Sequence, residues 1–409
     1  MRSWKGVIAC VSGTLLWGLS ARASAQFPWA GARATGMGGA QVAAVADNSA
    51  IWSDPAALAA LKGWNIQILG DMIAQNRNNL VGTLSTLSGL PFDDIVNGDR
   101  PDLLPVLLAG IANLARPGTS VIGSGTVGLA VSYDGFALSV GTLPYVGVYP
   151  IFDLQHLVPG GGPDDGLEYN TTGLNLVGLS AREVRLGYGH GFLGGILEGG
   201  VALRYVSGRS YFGRCGAFNS ECNSKDLSDL IQEVFDQNAR TTNKFTFDAA
   251  VRANLGIVKV GVTGASLTQP EFSVAEVPGA PSTVPLPRQV RGGVSVDALP
   301  FLTIAADGDL IASDTLVPER TALELAPGTK SQELSLGAEV RIPLLAFRLG
   351  AMRDFGATDP TWAYSFGVGF GIPLVSVDAA ILWGPTGGLN INNPDREVLG
   401  GAASVRFHF

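Results

Sequence analysis

The last eleven residues, Leu399-Gly400-Gly401-Ala402-Ala403-Ser404-Val405-Arg406-Phe407-His408-Phe409, decide how the rest of the chain is read. Leu399, Gly401, Ala403, Val405, Phe407 and Phe409 form one set, apolar and ending in aromatics. Gly400, Ala402, Ser404, Arg406 and His408 form the other, small or polar. A strand sends successive side chains to opposite faces, so this is a ribbon with one greasy and one wet side. The same period recurs upstream. Leu334, Leu336, Ala338, Val340 and Ile342 alternate with Glu333, Ser335, Gly337, Glu339 and Arg341. Phe245, Phe247, Ala249 and Val251 alternate with Thr246, Asp248, Ala250 and Arg252. A soluble β-sandwich alternates too, so the connections between strands must discriminate.

About fourteen strands are expected, near 64–70, 119–133, 136–147, 172–188, 196–208, 244–253, 257–267, 288–297, 301–310, 331–342, 346–353, 362–371, 375–383 and 397–409. Their connections alternate. Short ones fall at Asp134-Gly135, His190–Gly195, Asn254–Gly256, Ala298–Pro300, Pro343–Leu345 and Ile372-Pro373, and long ones include 71–118, 148–171 and 209–243. Transmembrane barrels sort their loops in this way, short inside and long outside. The expected fold is therefore all-β: a transmembrane antiparallel β-barrel spanning 62–409, with short helices in its outer loops.

Composition agrees. Charged residues are 15% and hydrophobic residues 46% of 409, with 55 Gly. That is too apolar for disorder. Yet no run supplies the roughly 20 apolar residues of a spanning helix: Leu103–Ala115 has helical spacing over only 13 residues. A closed barrel is the other structure that satisfies its backbone in lipid. Residues 1–25 read as an export signal, with Arg2 and Lys5, the apolar stretch Val7–Leu19, and Ala23-Ser24-Ala25 before the cut. Removing it takes the net charge from −8 to −11, which repels nucleic acid. It also removes Cys10 and leaves Cys215 and Cys222, expected to form a disulfide in an oxidising compartment; zinc is the weaker alternative.

Enzyme chemistry finds little support. The three histidines, His156, His190 and His408, sit in no nucleophile or metal motif. Gly123, Gly125 and Gly128 spell a dinucleotide fingerprint, but inside an alternating strand that opens no helix. No cofactor and no metal is expected. The loop acids Asp164, Asp165 and Glu168 match no calcium-loop spacing and read as solvated. Inward positions carry both signs: Arg185, Arg204, Asp248, Arg252, Lys259, Arg291, Asp297, Asp307, Glu333, Glu339, Arg341, Arg348, Asp378 and Arg406. A structural network of paired lumen charges accounts for them.

Residues 26–61 do not alternate. Gly31–Ala40 is small and turn-rich, and Asp54 stands where it caps a short helix opened by Pro55. Such a segment suits a plug inside the barrel. Its motifs, Arg33-Ala34-x-Gly36-Met37-Gly38-Gly39-Ala40, Asp47-Asn48-Ser49-Ala50 and Asp54-Pro55-Ala56, resemble the N-terminal hatch of the long-chain fatty-acid transporter (FadL-like) superfamily of outer-membrane barrels. Leu286–Gly293, Leu302–Leu310 and Leu334–Arg341 are similar to its conjugal-transfer, TraF-like branch. The family usually has Asn where this chain has Asp54, and a carboxylate cannot replace an amide donor; a lumen Arg is the expected compensation.

The resemblance implies an outer-membrane protein of a Gram-negative-type bacterium, embedded in lipid and lipopolysaccharide. It further implies recognition by the barrel-assembly machinery through Phe409, and passive uptake of small hydrophobic molecules. A barrel that transports nothing and assists a secretion or conjugation complex is the alternative. The first outer loop offers two apolar helices, 80–90 and 101–116. Leu84, Leu87, Leu104, Leu108 and Ile111 are the residues expected to line a ligand groove, unless the helices simply pack on each other as a cap.

Overall fold

The computed structural model describes residues 31–91, 94–95, 98–116, 118–152, 172–216, 239–276, 280–314, 330–356, 362–384 and 398–409. Fourteen of its strands close into one ring: β1 (Trp64–Arg77), β2 (Ser120–Tyr133), β3 (Phe136–Ile151), β4 (Gly173–Phe192), β5 (Leu197–Gly216), β6 (Ala239–Leu255), β7 (Val258–Ala265), β10 (Gln289–Leu299), β11 (Leu302–Asp309), β14 (Glu333–Ile342), β15 (Leu345–Asp354), β16 (Trp362–Ile372), β17 (Val375–Gly384) and β18 (Val398–His408). Each pairs antiparallel with its neighbours in the ring, and β18 closes it on β1, with Ile66 opposite Phe407. Two small hairpins form separate two-stranded sheets, β8 (Glu271–Ser273) with β9 (Thr283–Pro285) and β12 (Ser313–Asp314) with β13 (Lys330–Ser331).

The ring is taller than the sequence indicates. β1 runs to Arg77 rather than residue 70, β3 to Ile151, and β5 to Gly216, while β6 begins at Ala239. The long connections expected at 71–118, 148–171 and 209–243 shorten accordingly. The reason is local. Past Gly70 the inward side chains are Asp71, Ile73 and Gln75, all buried, so the polar-apolar contrast that marks a strand disappears.

The short turns share one end of the ring. Asp134 and Gly135 both have positive φ, as a two-residue hairpin turn matched to strand twist requires. Outward positions form an apolar belt, Val127, Leu186, Val201, Val251 and Leu349 among them, all exposed. Aromatic rings cluster toward the short-turn end: Trp64 on Tyr133 at 4.9 Å, Phe136 on Tyr188 at 4.5 Å, and His190 on Phe192 at 4.8 Å between centroids.

Residues 31–61 fill the ring from that end. α1 (Ala32–Gly36), α2 (Ala50–Ser53) and the 3₁₀ turn Pro55–Ala60 are almost wholly buried. Small residues make the fit possible. A Cβ on Gly350 of β15 would lie 2.2 Å from the Gly38 nitrogen, and one on Gly200 of β5 would lie 2.2 Å from the Pro55 carbonyl. Trp52, fully buried, lies against Gly128 of β2. Across the long-loop end run α3 (Leu80–Ser88) and α4 (Leu104–Leu114). Asn79 caps α3 by accepting from the Gly82 N–H at 3.2 Å.

Candidate path through the barrel

From the long-loop end inward, the first layer is the helical lid. Leu80, Leu84, Leu87 and Leu90 of α3 and its flank pack with Leu107 and Leu114 of α4 in one buried cluster, which also touches Val121 and Leu174 of the wall. Leu87 fits onto Gly110, where a Cβ would lie 2.6 Å from its Cδ2. Leu104, Leu108 and Ile111 point away and are exposed, Leu108 at 57%. The five residues expected to line one groove are therefore not brought together. α4 is apolar almost all round, so its periodicity does not say which stripe packs and which is left outside.

Beneath the lid the inward face is apolar. Ile122, Leu143, Tyr145, Val177, Leu179 and Phe212 form a buried cluster on β2–β5. The β8–β9 hairpin folds in to complete it, with Phe272 seated where a Cβ on Gly208 would lie 2.2 Å from its ring. In the same wall the β2–β3 ladder lapses: Ser124 pairs with Tyr145 and Val127 with Thr142, while Gly125 opposite Pro144 and Thr126 opposite Leu143 are unpaired in that register. Pro144 has no N–H to donate, which interrupts the ladder there.

A layer of charge follows at mid-height. Arg204 donates from Nη2 to Glu183 Oε1 at 2.7 Å, from Nε to Glu183 Oε2 at 3.1 Å, and from Nη1 to Asp248 Oδ1 at 3.0 Å. Arg185 donates to Glu183 at 2.7 Å and to Asp248 at 3.0 Å. Two guanidiniums and two carboxylates, all buried, thus share five bonds. Arg185 reaches on to the Ile51 carbonyl of the plug at 3.3 Å. Glu183 was missed in the sequence reading, although Ala181, Glu183 and Arg185 share one face of a strand.

Below it every turn of the plug is held by the wall. Asp71 accepts from the Gly31 N–H at 2.9 Å, and Asp307 accepts from Gln41 and Val42 N–H at 2.6 and 2.8 Å. Glu339 takes two bonds from Arg33, each 3.0 Å, plus Arg348 at 2.7 Å and Arg341 at 2.5 Å. Asn48 donates to Asn65 and Ala130 carbonyls and accepts from Ser132. Asp47 accepts from the Ser49 N–H and hydroxyl within the plug. Arg252 donates to Glu198 at 2.7 Å and to the Val45 carbonyl at 3.2 Å. Arg291 sits higher, 3.4 Å from Asp309 and 3.7 Å from Glu333. The inward charges read from sequence are thus mutually paired for the most part, with Arg33 and Glu198 as partners that alternation alone did not single out.

Asp54 keeps half of the role expected of it. Its Oδ1 accepts from the Ala56 N–H at 3.1 Å and caps the 3₁₀ turn, with Pro55 at the first position. Its Oδ2 accepts no hydrogen bond, and the nearest cation is Arg252 Nη1 at 4.0 Å. Burial pushes the Asp54 carboxyl up to about 7, against the opposing pull of Arg252 and the Ala56 amide. Cys215 is disulfide-bonded; Cys222, residues 1–30 with the export signal, and Asp164, Asp165 and Glu168 lie outside the described residues.

This architecture defines a class: a closed fourteen-stranded barrel, plugged from its own N-terminal segment and lidded by loop helices. Its fold is shared with solved hydrocarbon channels. The monoaromatic hydrocarbon channel CymD matches with a TM-score of 0.51 over 93% of this chain and 97% of that one, at 13% identity. The deltaS2S3 mutant of the monoaromatic hydrocarbon channel TodX gives 0.52 over 93% and 99%, at 12% identity. The Ralstonia pickettii toluene transporter TbuX gives 0.51 over 93% and 98%, at 13% identity. At such identities the likeness is one of fold. Residues 109–309 match the family described as F plasmid transfer operon, TraF, protein. That match covers the second half of the lid helix α4, from residue 109, and the wall as far as β11, including a middle region whose sequence shows only strand pattern. No curated protein sequence matches the chain.

Proposed function

We propose that this chain is an outer-membrane barrel, with its short turns in the periplasm, that admits small hydrophobic molecules passively. The observation that carries this reading is the apolar inward face of β2–β5 in the long-loop half, beneath the apolar lid cluster. A barrel that served only as a scaffold would need no such lining. The exposed Leu104, Leu108 and Ile111 supply a first contact for a greasy solute at the outer surface. The apolar belt faces lipid and the outer leaflet's lipopolysaccharide, and Phe409, exposed at the end of the last strand, is the residue read by the assembly machinery. The hydrocarbon channels that share the fold support the reading.

The test is uptake of toluene by cells lacking other hydrocarbon channels, with wild-type protein against Leu104→Asp/Leu108→Asp and against Leu179→Asp in the interior wall. Uptake is expected to fall in both. Unchanged uptake in both removes the transport role.

One observation favours a second reading. The plug is tied to the wall by the buried Arg33–Glu339 ion pair and by backbone hydrogen bonds to Asp71, Asp307 and Arg185, and the central residues match the TraF family. A barrel that stays sealed and assists a secretion or conjugation complex would show no solute flux in proteoliposomes and would retain periplasmic partner proteins through its short-turn face.

A further inference from the structure

The short-turn end of the barrel is not flat. A cavity of about 270 Å³ opens there between the plug and β14–β18. At roughly 30 Å³ per water this is space for about nine waters, or one small solute. Four guanidiniums reach it, from Arg33 of the plug, Arg341 of β14, Arg348 of β15 and Arg406 of β18. The acids facing the same space are Asp47 and Asp378, with Glu339 just behind. Four cations against three anions leave one positive charge over, in a chain whose net charge is −8.

The surplus has an address. Arg33 and Arg348 spend their donors on Glu339, Asp378 and the Ala44 carbonyl. Arg341 gives one bond to Glu339 and keeps 61% of its side chain exposed. Arg406 forms no ion pair among the described residues. It donates only to neutral oxygens, Ser376 Oγ at 3.3 Å and the Ala46 carbonyl at 3.4 Å. A guanidinium carries five N–H donors in a planar fork, so Arg406 has donors to spare. That fork matches an oxyanion better than any other partner. Ile342, Leu344 and Phe370 add apolar surface at the rim.

We propose that this mouth is a binding site for the oxyanion head of a small organic acid, a carboxylate or a phosphate, received by Arg406 and Arg341 with a short apolar tail against Leu344 and Phe370. The proposal stands apart from the transport reading, since it concerns equilibrium binding at the other end of the barrel from the lid. It has a structural corollary. Arg406 belongs to the last strand and leans on Ala46 of the plug, so a bound anion joins wall and plug and holds the plug in place.

The experiment is isothermal titration of detergent-solubilised full-length protein at 0.15 M chloride with three probes: inorganic phosphate, phenyl phosphate and benzoate. Saturable one-to-one binding of at least one aromatic probe, tighter than inorganic phosphate, is expected. The probe that binds best tells carboxylate from phosphate. Arg406→Gln is expected to weaken it tenfold or more, and Arg341→Gln, at an exposed position, severalfold, whereas Arg100→Gln at the lid leaves it unchanged. Circular dichroism confirms that each variant is folded, and Arg341→Gln carries the test if Arg406→Gln is not. The idea is overturned if no probe saturates, if Arg406→Gln and Arg341→Gln bind as wild type does, or if Arg100→Gln weakens binding equally.

Discussion

Replacing Arg204 by Leu removes three bonds to carboxylates, two to Glu183 and one to Asp248, and a fourth to Ser266 Oγ at 2.7 Å. Arg185 remains, but it then faces two buried carboxylates alone. Removing one partner of a buried ion pair costs about 3–5 kcal/mol, because the charge left behind is neither solvated nor neutralised. Glu183 and Arg204 are both essentially inaccessible, so the upper half of that range applies. The double variant Arg204→Leu/Glu183→Leu restores neutrality, leaving Arg185 with Asp248 as a single pair at 3.0 Å. It is expected to recover most of the loss, since exchanging a buried pair for apolar groups is often close to neutral. Guanidinium unfolding of the barrel in lipid vesicles, followed by tryptophan fluorescence, gives the free energies, and the single and double variants with Glu183→Leu complete a cycle. Because Arg185 also holds the Ile51 carbonyl, the single variant is expected to loosen the plug and raise ion conductance across planar bilayers. If Arg204→Leu is as stable as wild type, or the double variant is no better than the worse single one, the mid-height charge layer is not what holds barrel and plug together.

Three further outcomes are expected. Asp54→Asn flattens the pH dependence of stability: a carboxyl whose folded value is raised to about 7 binds its proton more tightly when folded, so its contribution to wild-type stability falls as pH rises from about 4 through 7, and parallel unfolding profiles for the two proteins between pH 4 and 8 would refute this. Gly38→Ala places a Cβ 2.7 Å from the Ala351 nitrogen at a positive φ and is expected to cost about 1–3 kcal/mol, seen as faster amide exchange in residues 31–46 while the β-strands stay protected. Leu87→Asp, in the packed seam between the lid helices, is expected to lower the melting temperature clearly, whereas Leu108→Asp on the exposed side leaves it nearly unchanged; equal effects would contradict the division of the lid into packed and open stripes.

Much of the site was legible in the chain because its signals are local. Period-two alternation placed Arg204, Arg252, Arg291, Asp307, Glu339 and Arg406 on the inner face, and the motif Asp54-Pro55 marked the plug's 3₁₀ turn. The lid resisted the same treatment. α4, apolar on most sides, carries no internal label for the face that will be covered, and only the contact of its Gly110 with Leu87 decides it. The apolar interior cluster was equally hidden. Ile122, Leu143 and Val177 occur in strands whose outward residues are also apolar, so no contrast betrays the apolar inward face of β2–β5.

The sequence by itself determined the number of strands, their alternation, the sorting of long and short loops and the presence of a segment too small and irregular to join the wall. Each of these follows from neighbours two to twenty residues apart, where strand pleat and turn chemistry act. Which carboxylate meets which guanidinium was settled only when the ring closed. Arg33 and Glu339 stand 306 residues apart and Asp307 and Gln41 stand 266 apart, and nothing in either local environment names the other. Closure through β1 and β18 puts them across a few ångströms of lumen, and there the cost of burying an unpaired charge makes the choice.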